Sequence, residues 1–279
     1  MVDYHIHLEN GPLTVEWIRK FWDQAQARGI SEIGITEHCH KFREWAPVFH
    51  HLQEGPNSYS YMREWLARDF QSSLSDYVRV LQEARESGIP IKIGIEADFF
   101  PEKETQIHDL LTAYPFDFVL GSVHTIGMWG FDYDPDCGWE GRDIDQAYHD
   151  YYAILAQAAS SGLFDTLSHF DVIKVFGHRA VESMEADVDA VLKAARGSGV
   201  CIEVSTAGLR KPAKEMYPAE WILSRAAERQ IPITFASDAH RPEEVGQDWE
   251  KAIILARRCG YREYRVFAAR ESYAQKIPK

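Results

Sequence analysis

The sequence predicts an α/β fold whose parallel strands close as a barrel, and three observations carry that expectation. Short apolar strands alternate with helical stretches seven times along the chain, the pattern of a parallel sheet covered by helices. Nearly every one of those strands finishes with His, Glu or Asp, and in a (β/α) barrel all C-terminal strand ends converge on one mouth. No GxGxxG or P-loop motif follows any strand, so the dinucleotide-binding version of such a sheet has no support.

The elements run as follows. Val2–Leu8 reads as the first strand, and Thr14 caps a helix to Ala27 that sets Trp17, Ile18, Phe21, Trp22 and Ala25 on one face before Gly29 ends it. Glu32–Thr36 is the second strand. An aromatic insertion at about residues 40–61, with Trp45, Phe49 and Tyr59, follows it as a lid-like segment, since loops of this length are often functional. A helix is expected over Met62–Ser87, strand three over Ile91–Glu96, a helix over Lys103–Ala113 and strand four over Phe116–His124. After a Gly-, Asp- and Trp-rich insertion at Met128–Gly141 come a helix over Asp143–Ser160, strand five at Thr166–His169 and a helix over Val181–Arg196. Strand six is Gly199–Ser205, followed by a helix over Ala219–Arg229 and strand seven at Ile231–Ala236. A helix over Pro242–Arg258 and a short strand at Tyr264–Ala268 complete the chain. There is no repeat, low-complexity tract or linker, so residues 1–279 are expected to form one domain.

Composition narrows the partners. A net charge of −13 disfavours a nucleic-acid surface, which normally carries a basic stripe. An anionic substrate stays open, because bound metals reverse local charge. Cys39, Cys137, Cys201 and Cys259 make no CxxC pair and read as free thiols of a reducing compartment. Met1-Val2-Asp3-Tyr4-His5 has no basic n-region or apolar h-region, and no apolar run of 18 residues occurs. The expectation is a cytoplasmic protein without a membrane partner.

The polar residues at the strand ends carry the chemistry. His5, His7 and Glu9 stand at i, i+2 and i+4, so a strand would aim them at one face. His38 ends strand two, Glu96 strand three, His124 strand four and His169 strand five; Glu203 lies in strand six, and Asp238 and His240 follow strand seven. A single histidine at a strand end is usually structural, and a carboxylate there can cap the next helix. Together they are a metal centre. Neutral imidazole with carboxylate suits Zn, Fe or Mn. The ligands are too many for one ion, so two to three divalent transition-metal ions are expected, with Glu96 bridging two of them.

These residues also carry a resemblance. Asp3-Tyr4-His5-Ile6-His7, Thr36-Glu37-His38, Gly94-Ile95-Glu96, Gly121-Ser122-Val123-His124, Ser168-His169 and Ser237-Asp238-Ala239-His240 resemble the ordered motifs of the PHP (polymerase and histidinol phosphatase) family. Glu203-Val204-Ser205-Thr206-Ala207-Gly208-Leu209-Arg210-Lys211-Pro212, with Tyr217-Pro218 after it, resembles the histidinol-phosphatase branch. The resemblance spans about residues 2–245. It implies a distorted (β/α)7 TIM-like barrel with three metal ions at the C-terminal mouth. By position, His5, His7, Glu96 and Asp238 would hold the first ion, Glu96, His124 and His169 the second, and His38 and His240 the third. It implies hydrolysis of a small phosphorylated substrate, L-histidinol phosphate, to histidinol and phosphate. Other readings are a related phosphoesterase acting on another small phosphate or a nucleotide, and an amidohydrolase-like barrel, which also starts with HxH but typically bridges its metals with a carboxylated lysine.

The chain departs from the family where a further histidine or aspartate usually follows HxH. Here the stretch reads Glu9-Asn10-Gly11-Pro12-Leu13. Glu9 is the stand-in for the third ion, with His40 as rival. Arg210 follows a Thr-Ala-Gly turn after strand six and is expected to clamp phosphate oxygens bidentately. Lys211 and Arg179 are further phosphate-binding candidates. Asp238 and His240 are the candidates for protonating the leaving oxygen. His50, His51, His108, His149 and His178 read as structural or surface residues.

Overall fold

The computed structural model describes residues 1–54, 59–136 and 138–278. Seven parallel strands form its sheet, in chain order: β1 (Val2–Asp3), β2 (Glu32–Ile35), β3 (Ile91–Asp98), β4 (Phe118–Ser122), β5 (Thr166–Leu167), β6 (Cys201–Ser205) and β7 (Ile233–Ala236). The two edges meet. Tyr4 N donates to Phe235 O at 3.1 Å, His7 N to Ala239 O at 2.8 Å and Ala239 N to His5 O at 3.1 Å. On its other side the same segment receives Thr36 N at Ile6 O, 2.9 Å. The expected Val2–Leu8 strand therefore has only two ladder residues, Val2 and Asp3, because its remaining hydrogen bonds are shared between two neighbours as it closes the barrel.

Helices fill the crossovers. Thr14 Oγ1 accepts from Trp17 N and caps α1 (Val15–Ala27), whose Ile18, Phe21 and Ala25 are buried. The insertion after β2 is folded: short 3₁₀ turns lead into α2 (Ala46–Glu54), and Trp45, Phe49 and Leu52 join the core. Residues 55–58 of that insertion, and Cys137, lie outside the described residues. The helix expected over Met62–Ser87 is two helices, α3 (Ser60–Leu66) and α4 (Leu74–Glu86). Between them Phe70 takes a left-handed φ of 61° and Ser72 pairs with the 40–43 loop, after which Ser73 caps α4.

Next come α5 (Glu104–Thr112) and α6 (Ile144–Ser160), the latter capped by Asp143. The following helix begins later than expected, as α7 (Glu185–Ser198), because Val181 N and Glu182 N are held by Asp145 Oδ1 at 2.7 and 3.0 Å. After α8 (Glu220–Glu228), the helix expected from Pro242 is a 3₁₀ turn followed by α9 (Trp249–Arg258); Gly246 and Asp248, both at positive φ, separate the two.

The short strand expected at Tyr264–Ala268 is half of a hairpin, β8 (Glu263–Ala268) with β9 (Glu271–Lys276). It covers the N-terminal end of the barrel. Phe267 stacks on Phe118 with ring centroids 5.5 Å apart, and Arg270 bonds to Asp117 O and Leu163 O just ahead of β4 and β5. Phe118 in turn fills the space left by Gly34 and Gly94, where a Cβ would lie 2.6 and 2.9 Å from its ring. With one end covered in this way, the opposite mouth is left for chemistry.

Candidate metal centre

The C-terminal ends of the strands bring together His5, His7, His38, Glu96, His124, His169, Asp238 and His240, as the spacing predicts. Glu96 is at the centre. Its Oε2 lies 3.5 Å from His5 Nε2, 3.7 Å from His7 Nε2 and 2.6 Å from His38 Nδ1. Its Oε1 lies 2.9 Å from His169 Nε2 and 3.4 Å from His124 Nε2. Asp238 Oδ1 is 3.3 Å from His7 Nε2 and 3.7 Å from His5 Nε2. Asp238 itself sits at a positive φ of 53°.

The chemistry of these atoms fits a cation. His5 Nε2, His7 Nε2, His38 Nδ1 and Glu96 Oε2 are buried and none makes a hydrogen bond. Buried polar atoms are otherwise almost always paired. Here four bare donor atoms face one another, and a metal ion is what satisfies such a set. The opposite ring nitrogens are committed elsewhere: His5 Nδ1 faces Glu203 Oε2 at 2.8 Å, His124 Nδ1 faces Asp98 Oδ1 at 2.8 Å, and His7 Nδ1 faces Glu37 Oε1 at 3.4 Å. That is the carboxylate–histidine pairing which orients metal-binding imidazoles. Ser122 Oγ, donating to Glu96 Oε1 at 2.7 Å, steadies the central carboxylate.

Electrostatics follow the same geometry. Burial opposes charging of His5, but Glu203, Glu96 and Asp238 outweigh it and raise its pKa well above the usual histidine range. Burial likewise works against ionised Glu96, and His5, His38 and His124 overcome it and hold its carboxyl well below the carboxylate range. At His40 burial, reinforced by His38, Lys41 and His124, outweighs the pull of Glu96 and pushes its pKa well down.

The candidates for the third ion differ in placement. Glu9 Oε1 is 3.6 Å from His240 Nε2, and Glu9 groups with Glu37 and His38; its other oxygen takes Lys41 Nζ at 3.0 Å. His40 stacks on His38 at 4.7 Å but joins no ligand group among the described residues. Three neighbours escaped the sequence reading. Asp98 stands two residues after Glu96 on the same strand face, so alternation was the available signal. Glu37 adjoins His38. Asp132, whose Oδ2 is 3.8 Å from His124 Nε2, comes from the insertion after β4 and had no signal.

The basic candidates separate. Arg210 Nη2 donates to Ser237 O at 2.6 Å and Asp238 O at 3.1 Å, while its Nη1 is buried without a partner. Lys211 lines a cavity of about 170 Å³ together with Glu96, His169, Asp238 and His240. Arg179 pairs with Glu215 at 2.9 Å, donates to Ala213 O and faces a different, outer cavity of about 900 Å³. A further cavity of about 270 Å³ adjoins the cluster. It shares His38, His124 and Asp132 with the smaller one; the rest of its wall combines the rings and apolar side chains of Phe49, Met62, Trp65, Tyr133 and His40 with the polar groups of Glu9, Lys41, Asp98 and Thr125.

Cys39 and Cys201 are free buried thiols and Cys259 is partly exposed. His178 stacks on Trp139 and His149 pairs with Asp187, the structural roles expected of them. Among the described residues no helix is long and apolar enough to cross a membrane.

Comparisons with known proteins agree with this geometry. The PHP domain family model matches residues 3–207, and a PHP-associated model matches residues 222–257. The chain is 34% identical over 265 residues to a probable histidinol-phosphatase of Deinococcus radiodurans, covering 94% of this chain and 95% of that protein. It is 28% identical over 275 residues to the histidinol-phosphatase of Bacillus subtilis, covering 89% and 96%. Its fold matches, with a TM-score of 0.76 at 21% identity and over 98% of both chains, a crystal structure of histidinol phosphate phosphatase from Lactococcus lactis complexed with zinc, L-histidinol and phosphate.

Proposed function

The chain belongs to the PHP domain family, and on that premise we propose that it is a metal-dependent phosphomonoesterase hydrolysing L-histidinol phosphate to L-histidinol and phosphate, a cytoplasmic step of histidine biosynthesis. The observation that carries the reading is the pair of adjoining cavities. The smaller is polar, built on the cluster with Lys211, and has the size for a phosphoryl group; the larger has the size for a flat ring and offers it both aromatic faces, from Phe49, Trp65 and Tyr133, and polar groups, from Glu9, Lys41 and Asp98. A substrate joining a phosphate to an imidazole through a short chain fits both lobes at once.

His5, His7, Glu96 and Asp238 would hold one cation, Glu96, His124 and His169 a second, and His38 and His240, with Glu9 in place of the family's usual ligand, a third. Two to three divalent transition-metal ions (Zn, Mn or Fe) bound there would supply Lewis-acid charge for the phosphoryl oxygens and acidify water at neutral pH. The protein's own residues do the rest. Arg210 and Lys211 balance phosphoryl charge, with Arg179 bracing the loop that carries Lys211 through its bond to Ala213 O. Trp65, Phe49 and Tyr133 hold the ring and exclude water from one side. Asp238 and His240, lining the polar lobe, manage the proton at the leaving oxygen. The acidic chain, at −13, argues against a nucleic-acid substrate.

The test is phosphate release from a panel of monoesters, among them histidinol phosphate, nucleotides and short aliphatic phosphates, before and after chelation. Preference for histidinol phosphate, abolished by chelator and restored by Mn or Zn, is expected. Equal rates across the panel would leave a phosphoesterase of different substrate, and no release at all would overturn the reading.

A further inference from the structure

Tyr217 is a buried residue in the polar cavity that the metal cluster does not use. It is only 1% exposed, yet its hydroxyl makes no hydrogen bond. It lines the same 170 Å³ cavity as Glu96, Lys211, Asp238 and His240, with its ring edge-on to His169 at 6.3 Å between centroids. A phenylalanine would pack there without leaving a hydroxyl unpaired, and an unpaired buried hydroxyl is costly. The ring is also fixed. Tyr217 N and O exchange hydrogen bonds with Ser205 at the end of β6, at 3.0 and 2.7 Å. Lys174 Nζ lies 5.3 Å from the ring centroid, and Gly208 leaves room where a Cβ would come within 3.0 Å of Cζ.

We propose that the Tyr217 hydroxyl is a phosphate-binding donor, placed to give its hydrogen bond to a non-bridging oxygen of the substrate's phosphoryl group and of product phosphate. The inference rests on the phosphomonoesterase reading above. Its charge logic is simple. An ordinary phenol is already protonated, and so a donor, at neutral pH; burial, reinforced by Asp171, Asp238 and Asp132, pushes the pKa of Tyr217 further up. A neutral donor can approach a phosphoryl oxygen without competing for the cations. It also needs no counter-charge when the cavity is empty, unlike a second lysine.

The experiment compares wild type and Tyr217→Phe, both loaded with Mn, in three measurements: metal content, kcat/KM on histidinol phosphate, and the affinity for inorganic phosphate by calorimetry. Expected are unchanged metal content, kcat/KM lower by about 10- to 100-fold and phosphate affinity weaker by about tenfold, the effect of losing one hydrogen bond to a charged group. Changes under threefold in both kinetics and phosphate affinity would overturn the proposal. So would a loss that tracks falling metal content or melting temperature, which would make Tyr217 a packing residue or the partner of a structural water. If wild type itself hydrolyses no monoester, the functional reading fails separately; the phosphate calorimetry then still decides, since an unchanged affinity in Tyr217→Phe overturns the donor role and a weakened one upholds it.

Discussion

Arg210 holds the main chain of Asp238. Its Nη2 donates to Asp238 O at 3.1 Å and to Ser237 O at 2.6 Å, across the turn where Asp238 stands at a φ of 53°. A non-glycine residue in that region costs energy unless its surroundings hold it there. Its Nη1 is buried without a partner. On the proposed function the arginine would both brace Asp238 and offer this nitrogen to a phosphoryl oxygen. Arg210→Ala is expected to lower kcat/KM by roughly 10²–10³ at saturating metal, the effect of removing one preorganised donor. It should also raise the metal concentration needed for half-maximal activity, because Asp238 loses its brace. Arg210→Lys should recover only part of this, since a point charge lacks the fork geometry. A change under threefold in both variants would remove Arg210 from the site.

Glu96→Gln is the severest change available. The substitution keeps the shape but leaves five imidazoles, those of His5, His7, His38, His124 and His169, around a neutral amide. Elemental analysis of protein purified without chelator should show loss of cations and activity with an unaltered circular dichroism spectrum. Full metal content in the variant would refute the bridging role.

Asp98→Asn tests the support of His124. The Nδ1 of His124 faces Asp98 at 2.8 Å, and removal of such a partner typically costs 10–100-fold in metal affinity. Metal titration of the stripped variant should show that weakening, and a titration curve superposing on wild type would contradict it.

Chelation should be legible in stability. The orphaned donor atoms of His5, His7, His38 and Glu96 are satisfied only in the loaded protein. At a cation concentration of 100 Kd, binding adds about 2.7 kcal/mol per independent site. For a chain of this size that shifts Tm by roughly 5 °C per site. Equal melting with and without chelator would argue against cation binding at this cluster.

Trp65→Ala separates ring recognition from phosphate recognition. Trp65 lines the aromatic lobe and none of the polar one. KM for histidinol phosphate should rise by about 3- to 10-fold, the scale of an aromatic contact, while an aliphatic phosphate is hydrolysed as before. Equal losses on both substrates would assign Trp65 to the fold alone.

What the sequence made legible, and what it did not, divides along local and non-local lines. Strand alternation placed His5 and His7 on one face, and their rings are indeed 4.9 Å apart. The strand-end rule placed Glu96, His124 and His169 together because a barrel leaves those ends no other destination. By contrast, the helix over Met62–Ser87 is broken by contacts with the 40–43 loop, which no helical period reveals. Asp132 reaches His124 from an insertion whose path is set by the whole barrel. The direction of Arg179 toward Glu215 is likewise a matter of which loop happens to lie beside it.

Barrel closure has a consequence for the order of events during synthesis. Asp3 accepts from Ser237 N across 234 positions of sequence, and His5 and His7 share their neighbourhood with Asp238 and His240 from the other extremity of the barrel. A ribosome that has released the first 200 residues has delivered both histidines of the HxH pair but neither of the partners that follow β7. Until then the growing chain presents imidazoles with an incomplete set of oxygen ligands. On the proposed ligand assignment, capture of an ion by His5, His7, Glu96 and Asp238 would wait for the segment after β7, and a product truncated before β7 would fail to retain that ion even with every earlier ligand intact.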